Sequence, residues 1–195
     1  MSFLRYLIAG VLIIASALAG SAYARHTISA QTSERSFLRN GQWRTDATLA
    51  SPESSARTRA YLALTGLLGL PLEETAYFEL NTTETGAPID ATGIYEIRGT
   101  DMPARWWSIT LYNHDNFLTP NPYDRYSMKG TEVVRESDGS FRIVLSHAPQ
   151  EGNWIPLGDG QNMTVLLRLY NPDPDLAGQL ETVTLPTVTQ IGSVQ

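Results

Sequence analysis

Residues 103–126 read PARWWSITLYNHDNFLTPNPYDRY, and this stretch decides the fold. In its first half, Trp107, Ile109 and Leu111 share one face of an extended chain, with other side chains alternating between them. A period of two is typical of a β-strand that packs one face against a core. The second half, from Asn113 to Tyr126, is rich in Asn, Asp and Pro, which favour turns. The stretch therefore predicts a core strand followed by a long loop.

Further strands are predicted on both sides of this stretch. Gly41 to Leu49 predicts a first strand, and three later segments alternate with the same period: Thr75 to Leu80, Ile94 to Arg98 and Met163 to Tyr170. A Ser-Asp-Gly-Ser turn at 137–140 lies between Thr131–Arg135 and Phe141–Leu145 and predicts a hairpin. Short strands separated by turn residues are typical of an all-β domain.

One helix is predicted outside the amino-terminal segment. Ser51, Pro52 and Glu53 supply a capping hydroxyl, a proline for the first turn and an acid near the helix start. Apolar residues then follow at helical spacing, namely Ala56, Ala60, Leu64, Leu67 and Leu68. The fold class expected is mainly β: an antiparallel β-sandwich or jelly-roll-like domain with one amphipathic helix, preceded by an amino-terminal hydrophobic helix.

The amino terminus contains the uncharged segment from Tyr6 to Ala24, which is flanked by Arg5 and Arg25. A segment of about 17 to 25 apolar residues can span a bilayer. A basic start, an apolar centre and the small residues before Arg25 also satisfy a cleavable signal peptide. We expect a single-pass anchor in the cell inner membrane with the carboxy-terminal domain in the periplasm; the alternative is release to the periplasm after cleavage near Ala24.

Three regions follow from this pattern. Residues 1–25 are expected to be the anchor or signal peptide, residues 26–40 a polar spacer, and residues 41–195 one β-sandwich domain. The membrane is thus an expected partner through the amino-terminal helix, and the sequence says nothing of the oligomeric state.

Composition excludes several classes of protein. The formal net charge is -6 and the basic residues are scattered, which argues against nucleic acid as a partner because such binding needs clustered cations. The chain has no cysteine, so disulfides, zinc–thiolate sites and thiol nucleophiles are excluded.

Motifs spread over residues 41–186 resemble the DUF1214 family, a bacterial domain of unknown function. They are the Arg-x-Arg-Ala-Tyr of residues 57–61, the Leu-x-Glu-Thr-x-Tyr-Phe of residues 72–78, the Met-Pro-Ala-Arg-Trp-Trp-Ser of residues 102–108, the Gly-Asn-Trp-x-Pro of residues 152–156 and the Leu-Arg-Leu-Tyr-x-Pro of residues 167–172. The resemblance implies a jelly-roll-like β fold in the single-domain form, without the second domain called DUF1254. It implies no established activity.

Candidate ligand contacts come from aromatic, arginine and asparagine residues in the predicted loops and strand ends, where functional residues concentrate. They are Arg105, Trp107, Asn121, Arg125, Tyr126, Asn153, Trp154 and Arg168. Stacking by Trp and pairing of Arg with an anionic group would bind a small molecule. The alternative for each is packing: consecutive Trp residues point to opposite faces of a strand, and Asn121 and Arg125 can hold a loop closed.

The sequence predicts no catalytic residues, no metal ligands and no cofactor. His114 and His147 have no spacing partner for a metal, and there is no Gly-x-Ser-x-Gly motif for a serine nucleophile. Whether the protein is an enzyme stays open at this point. The first hypothesis is a cell-envelope module that binds a small molecule, glycan or envelope partner; the alternative is a hydrolase or lyase acting on a small exported substrate in the same cleft.

Overall fold

The structure is a computed structural model that describes residues 2–34, 37–65 and 68–193. The chain divides into a helical unit, residues 1–36 and 52–69, and a β unit, residues 37–51 and 70–195. Each unit is a separate cluster of contacts. All the strands lie in the β unit.

Helix α1 spans Ser2–Glu34, and within it Phe3–Ile28 is long and apolar enough to cross a membrane, the one such helix among the described residues. The same test is passed by a signal sequence. The helix continues through most of the predicted spacer, since residues 26–34 contain neither Pro nor Gly to end it. Residues 35 and 36 of that spacer lie outside the described residues.

Helix α2 spans Ala56–Thr65, and its start and its buried face differ from the prediction. Ser55 rather than Ser51 caps it: the Ser55 hydroxyl oxygen accepts a hydrogen bond from the Thr58 amide at 3.0 Å. Thr58 and Leu62 are buried, whereas Ala56 is exposed. Outside the helix, Leu68 is 94% exposed. Leu67, which the prediction placed on the apolar face, lies outside the described residues.

Among its described residues, the β unit contains ten strands in two sheets. In chain order they are β1 (Leu38–Asn40), β2 (Trp43–Thr45), β3 (Thr75–Leu80), β4 (Gly93–Gly99), β5 (Ala104–Tyr112), β6 (Ser127–Lys129), β7 (Phe141–Ser146), β8 (Trp154–Pro156), β9 (Thr164–Pro172) and β10 (Thr187–Ser193). The six-stranded sheet has the order β1-β2-β3-β9-β5-β6, and the four-stranded sheet has the order β10-β4-β7-β8. A 3₁₀-helix, Pro174–Gly178, follows β9.

The two sheets form a β-sandwich, as the sequence predicted. Their neighbouring strands are antiparallel except for β7 and β8, which are parallel, so the four-stranded sheet is mixed. In β5 and β9 the core-facing side chains meet in register: Trp107 lies opposite Leu169, and Ile109 lies opposite Leu167. Burying such side chains is the main stabilising contribution to a sandwich of this kind.

Trp107 joins the two sheets at the centre of the core. It is 3% exposed, and its ring stacks on Phe141 of β7 with centroids 4.8 Å apart. Strand β5 thus has the core role that its alternation predicts. The loop after it is free to present side chains outside the core.

The predicted strand Thr131–Arg135 is not present. The Lys129 carbonyl accepts hydrogen bonds from the amides of Glu132 and Val133, both at 3.1 Å, which closes a turn in its place. The Ser-Asp-Gly-Ser turn does form, and beyond it only an isolated bridge between Arg135 and Phe141 remains of the expected hairpin.

Candidate functional site

The loop between β5 and β6 is closed by two asparagines. The Asn113 side-chain oxygen accepts hydrogen bonds from the amides of Asp115 at 3.0 Å and Phe117 at 2.9 Å. Asn side chains commonly stabilise turns in this way. This first half of the loop therefore has a defined turn that leaves Phe117 70% exposed.

Asn121 organises the second half of the same loop. Its oxygen accepts hydrogen bonds from the amides of Tyr123 at 3.1 Å and Arg125 at 3.3 Å, and its Nδ2 donates to the Arg125 carbonyl at 3.1 Å. Asp124, between them, has a positive φ of 47°. Asn121 is therefore bonded to the loop itself, as the packing alternative expected, and it fixes where Tyr123 and Arg125 lie.

Asn153 holds a second loop, residues 147–153, which leads into β8. It is 8% exposed, its oxygen accepts a hydrogen bond from the Val134 amide at 2.7 Å, and its Nδ2 donates to the carbonyls of Val134 at 2.7 Å and Arg142 at 2.9 Å. All three groups are main-chain groups. The side chain of Asn153 thus takes the place of a neighbouring strand for Val134.

Trp154 brings the two loops together. Its indole Nε1 donates to the carbonyl and the hydroxyl of Ser146 at 3.2 and 3.0 Å, which fixes a ring that is 4% exposed. Arg125 donates from Nη1 to the Trp154 carbonyl at 3.3 Å, and its guanidinium carbon lies 5.9 Å from the Trp154 ring centroid. Tyr123 packs on the same ring, with centroids 4.9 Å apart.

A groove of about 440 Å³ runs between these loops and β6. Aromatic, charged and amide side chains line it: Tyr123, Asp124, Arg125, Tyr126, Ser127, Met128, Lys129, Glu132, Val134, Gly152 and Asn153. Three of the residues predicted from the sequence, Arg125, Tyr126 and Asn153, lie in this lining. Trp154 and Asn121 do not line the groove but contact Tyr123 and Arg125, which do.

Charges in the groove are paired in part. Lys129 Nζ lies 3.5 Å from Glu132 Oε2, and the Tyr126 hydroxyl donates to Asp124 Oδ1 at 3.3 Å. Partial burial raises the pKa of Tyr126, and the hydrogen bond and charge of Asp124 raise it further. Among the described residues no carboxylate lies within ion-pair distance of Arg125. Arg125 is therefore the cation of the groove that has no carboxylate partner among the described residues, while Asp124 is bonded to a neutral hydroxyl.

The other predicted contacts lie away from the groove. Trp107 is in the core, and Arg105 is exposed near the start of β5. Arg168 lies on the face of the six-stranded sheet that points away from the core. It donates to the hydroxyls of Thr110 at 3.1 Å and Tyr112 at 2.8 Å. The structure does not bring these three side chains into one cavity with Arg125.

Histidines are in exposed positions outside the groove. His114 Nε2 lies 3.2 Å from Asp115 Oδ2, and His147 Nδ1 lies 3.0 Å from the Gly158 carbonyl oxygen. Within the described residues no three His, Cys, Asp or Glu side chains cluster as metal ligands would. The groove side chains can contact a ligand by hydrogen bonds, stacking and charge.

Sequence reasoning missed Tyr123, Lys129 and Glu132. Tyr123 lies inside the loop that the sequence singled out, and Lys129 is the one lysine of the chain. Val134 was also missed, because it was assigned to a strand. Tyr123 could have been found, because it is an aromatic residue inside the loop from Asn113 to Tyr126 that the sequence indicated. No motif in residues 129–133 indicated Lys129 or Glu132.

The family comparison covers the part of the chain that contains the groove. The model of the family described as "Protein of unknown function (DUF1214)" matches residues 74–174, just over half of the chain. The chain belongs to the DUF1214 family. No curated protein matches this DUF1214 chain in sequence.

Two solved structures resemble this DUF1214 protein. The VPA0106 protein from Vibrio parahaemolyticus is 19% identical, with a TM-score of 0.59 over 75% of this chain and 38% of that protein. A putative uncharacterized protein from Burkholderia cenocepacia is 18% identical, with a TM-score of 0.43 over 60% of this chain and 29% of that protein. The chain spans well under half the length of either. The likeness to the Vibrio protein supports the fold alone.

Proposed function

We propose that this DUF1214 protein is a binding module of the cell envelope whose groove takes a hydroxyl-rich small molecule such as a saccharide. The observation that carries this proposal is Tyr123: its side chain is 51% exposed at the groove, yet its ring is held by the buried Trp154. The C–H face of a sugar ring packs on such an aromatic face, while its hydroxyls need the polar partners that surround it. An aromatic side chain with polar groups around it offers both kinds of contact that such a ligand needs.

The polar lining favours this class of ligand over an apolar one. Side chains with hydrogen-bonding capacity outnumber apolar side chains in the groove, and the Arg125 guanidinium is held in place by the Trp154 carbonyl. A group that is positioned before binding costs less conformational entropy when the ligand arrives. A hydroxyl-rich ligand therefore finds oriented donors and acceptors here.

Binding is favoured over hydrolase or lyase chemistry. No histidine is among the described residues that line the groove, and burial and the neighbouring Asp124 raise the pKa of Tyr126, which makes its hydroxyl a poorer source of a nucleophilic oxygen. The carboxylate of Asp124 accepts the Tyr126 hydrogen bond, and that of Glu132 pairs with Lys129. Acid–base catalysis would need a base that is free to take a proton from the substrate, whereas both of these carboxylates already have a partner.

The proposal includes attachment to the cell inner membrane by Phe3–Ile28, with the β unit in the periplasm. The apolar helix supports it by length and composition. Mass spectrometry of the mature protein tests it: an intact mass that includes residues 1–24 is expected. A mass that lacks them would replace the anchor by a cleaved signal peptide.

Saturation-transfer NMR tests the binding proposal. The full-length chain in detergent is mixed in turn with neutral and acidic oligosaccharides, and signal transfer to the sugar C–H protons is expected. Tyr123→Ala should abolish the transfer. Ile191→Ala is the matched control, since Ile191 is 49% exposed and lies outside the groove. Equal transfer in both variants would contradict the proposal.

A further inference from the structure

We infer that the ligand of the groove carries a carboxylate, which Arg125 binds, so that the class of ligand is an acidic saccharide. This inference rests on the proposed function. Its basis is the geometry of one guanidinium and the charges of its neighbours, and it concerns which saccharide the groove prefers.

Arg125 has one edge in use and one edge free. Nη1 donates to the Trp154 carbonyl at 3.3 Å, whereas Nε and Nη2 have no hydrogen-bond partner among the described residues. Nε and Nη2 form the side edge of the planar guanidinium, and two parallel N–H groups match the two oxygens of a carboxylate. The free edge therefore suits a planar, bidentate acceptor.

The position of Arg125 is fixed before a ligand binds. Its main-chain amide and carbonyl are both bonded to the Asn121 side chain, at 3.3 and 3.1 Å, and its guanidinium lies over the Trp154 ring. Arginine side chains lose considerable rotamer freedom when they become ordered on binding. Part of that loss has already occurred here, which strengthens pairing with an anion.

The neighbouring charges favour one negative charge over two. Two cations and two carboxylates line the groove, and Glu132 pairs with Lys129 while Asp124 accepts from Tyr126. These four charges sum to zero. A ligand with one carboxylate can form two hydrogen bonds with Nε and Nη2 of Arg125. A phosphate monoester carries two negative charges and would be repelled more strongly by Asp124 and Glu132.

The test compares two probes, an acid and its methyl ester, that differ in the charge of the carboxyl group and in one methyl group. Isothermal titration calorimetry measures the affinity of galacturonate, which has one carboxylate, and of its methyl ester for the full-length chain in detergent. We expect the acid to bind about tenfold to a hundredfold more tightly, as for hydrogen bonds to a charged group. In Arg125→Gln the ratio of the two affinities should fall to about one, because Gln keeps the main-chain bonds to Asn121 but carries no charge.

Arg105→Gln is the matched control, since Arg105 is exposed on β5 outside the groove. It should keep the preference for the acid. Unchanged melting temperatures in both variants show that neither effect arises from unfolding.

Three other outcomes would contradict the inference. If ester and acid bind alike and Arg125→Gln changes neither, the ligand is a neutral saccharide and the proposed function stands. If galactose 1-phosphate binds more tightly than the acid, the anion is a phosphate. If no probe binds, and Tyr123→Ala likewise has no effect in the NMR experiment, both the inference and the proposed function fail.

Discussion

The rings of Tyr123 and Trp154 meet in a T-shaped arrangement, with centroids 4.9 Å apart and planes at 78°. One ring is half exposed and the other is buried, so the buried one supports the exposed one. The Ser146 hydroxyl, which accepts from the Trp154 indole, itself donates to the Ala148 carbonyl at 2.6 Å. A chain of bonds from the core strand β7 therefore ends at the side chain that is proposed to contact the ligand.

Two substitutions of Trp154 should separate its contribution to stability from its contribution to binding. Trp154→Phe keeps an aromatic ring under Tyr123 and loses the two Nε1 bonds to Ser146, which should lower the free energy of unfolding by about 1–3 kcal/mol. Trp154→Ala removes the ring and should cost about 3–5 kcal/mol. Urea denaturation followed by circular dichroism measures both. Saccharide binding should persist in the Phe variant alone; retention in the Ala variant would show that Tyr123 needs no support.

Asn153→Ala should destabilise the β unit although it removes only a small polar side chain. The change leaves the Val134 amide and the carbonyls of Val134 and Arg142 without their partner. These three hydrogen bonds are partly buried, and a lost hydrogen bond of this kind costs about 0.5–1.5 kcal/mol, so a loss of about 2 kcal/mol in the free energy of unfolding is expected.

Gln161→Ala provides the comparison for Asn153→Ala in the same urea titration. Gln161 is exposed, so this change should shift the free energy of unfolding by less than about 0.5 kcal/mol. Equal effects of the two substitutions would mean that water replaces the Asn153 side chain without cost.

Most of the sandwich could be predicted because its strands alternate. The predicted strand Thr75–Leu80 agrees with β3 at both ends, and the core face of β5 is the one that the sequence indicated. The strand predicted at 131–135 failed for a physical reason. Its Val134 is bonded to the side chain of Asn153, nineteen residues further on, and the period-two pattern of a short segment cannot reveal a side chain acting as a strand.

The sequence indicated which types of residue line the groove, but it did not show which of the candidate residues come together there. Loops rich in aromatic and polar residues pointed to Arg125, Tyr126 and Asn153, which do line one groove. Arg105 and Arg168 were chosen by residue type alone, and strand register places them elsewhere. Where a side chain on a strand points depends on pairing with distant segments, which residue type does not encode.

Stability should fall in acid because of Glu96. Burial by itself raises the pKa of the Glu96 carboxyl, but hydrogen bonds and charge from Arg142 and Arg98 outweigh it and hold the pKa below the ordinary value of 4.5. A carboxylate with a lowered pKa contributes stability that is fully present above the ordinary value and is lost as pH falls through the folded-state pKa. The free energy of unfolding should therefore decrease from about pH 5 downward.

The substitution Glu96→Gln isolates this contribution. It should lower stability at pH 7 and flatten the decrease below pH 5, because the amide does not titrate. Glu181→Gln, at an exposed position of the β unit, should leave the decrease in place. Thermal melts of the two variants and the unchanged chain from pH 3 to pH 7 provide the measurement; a slope that is the same in all three would remove Glu96 from the explanation.

Gly130, which follows β6, packs directly against the Trp107 ring in the core. Its amide donates to the Trp107 carbonyl at 3.0 Å, and an added Cβ would lie 2.7 Å from Nε1 and 2.8 Å from Cε2 of the Trp107 ring. The ring cannot bend away as the end of a flexible chain would, since it is stacked on Phe141 in a close-packed core. Gly130→Ala should therefore lower the free energy of unfolding by about 1–3 kcal/mol.

Gly178→Ala is the matched control for Gly130→Ala. At Gly178 an added Cβ meets no atom within 4 Å, so the free energy of unfolding should stay unchanged or rise slightly. The residues of β6 line the groove, and Gly130 directly follows this strand. Gly130→Ala should therefore also weaken saccharide binding, whereas Gly178→Ala should not. If Gly130→Ala is as stable as its control, the Trp107 ring must be able to move away from the added methyl group. The contact between Gly130 and Trp107 would then not be what holds β6 in place beside β5.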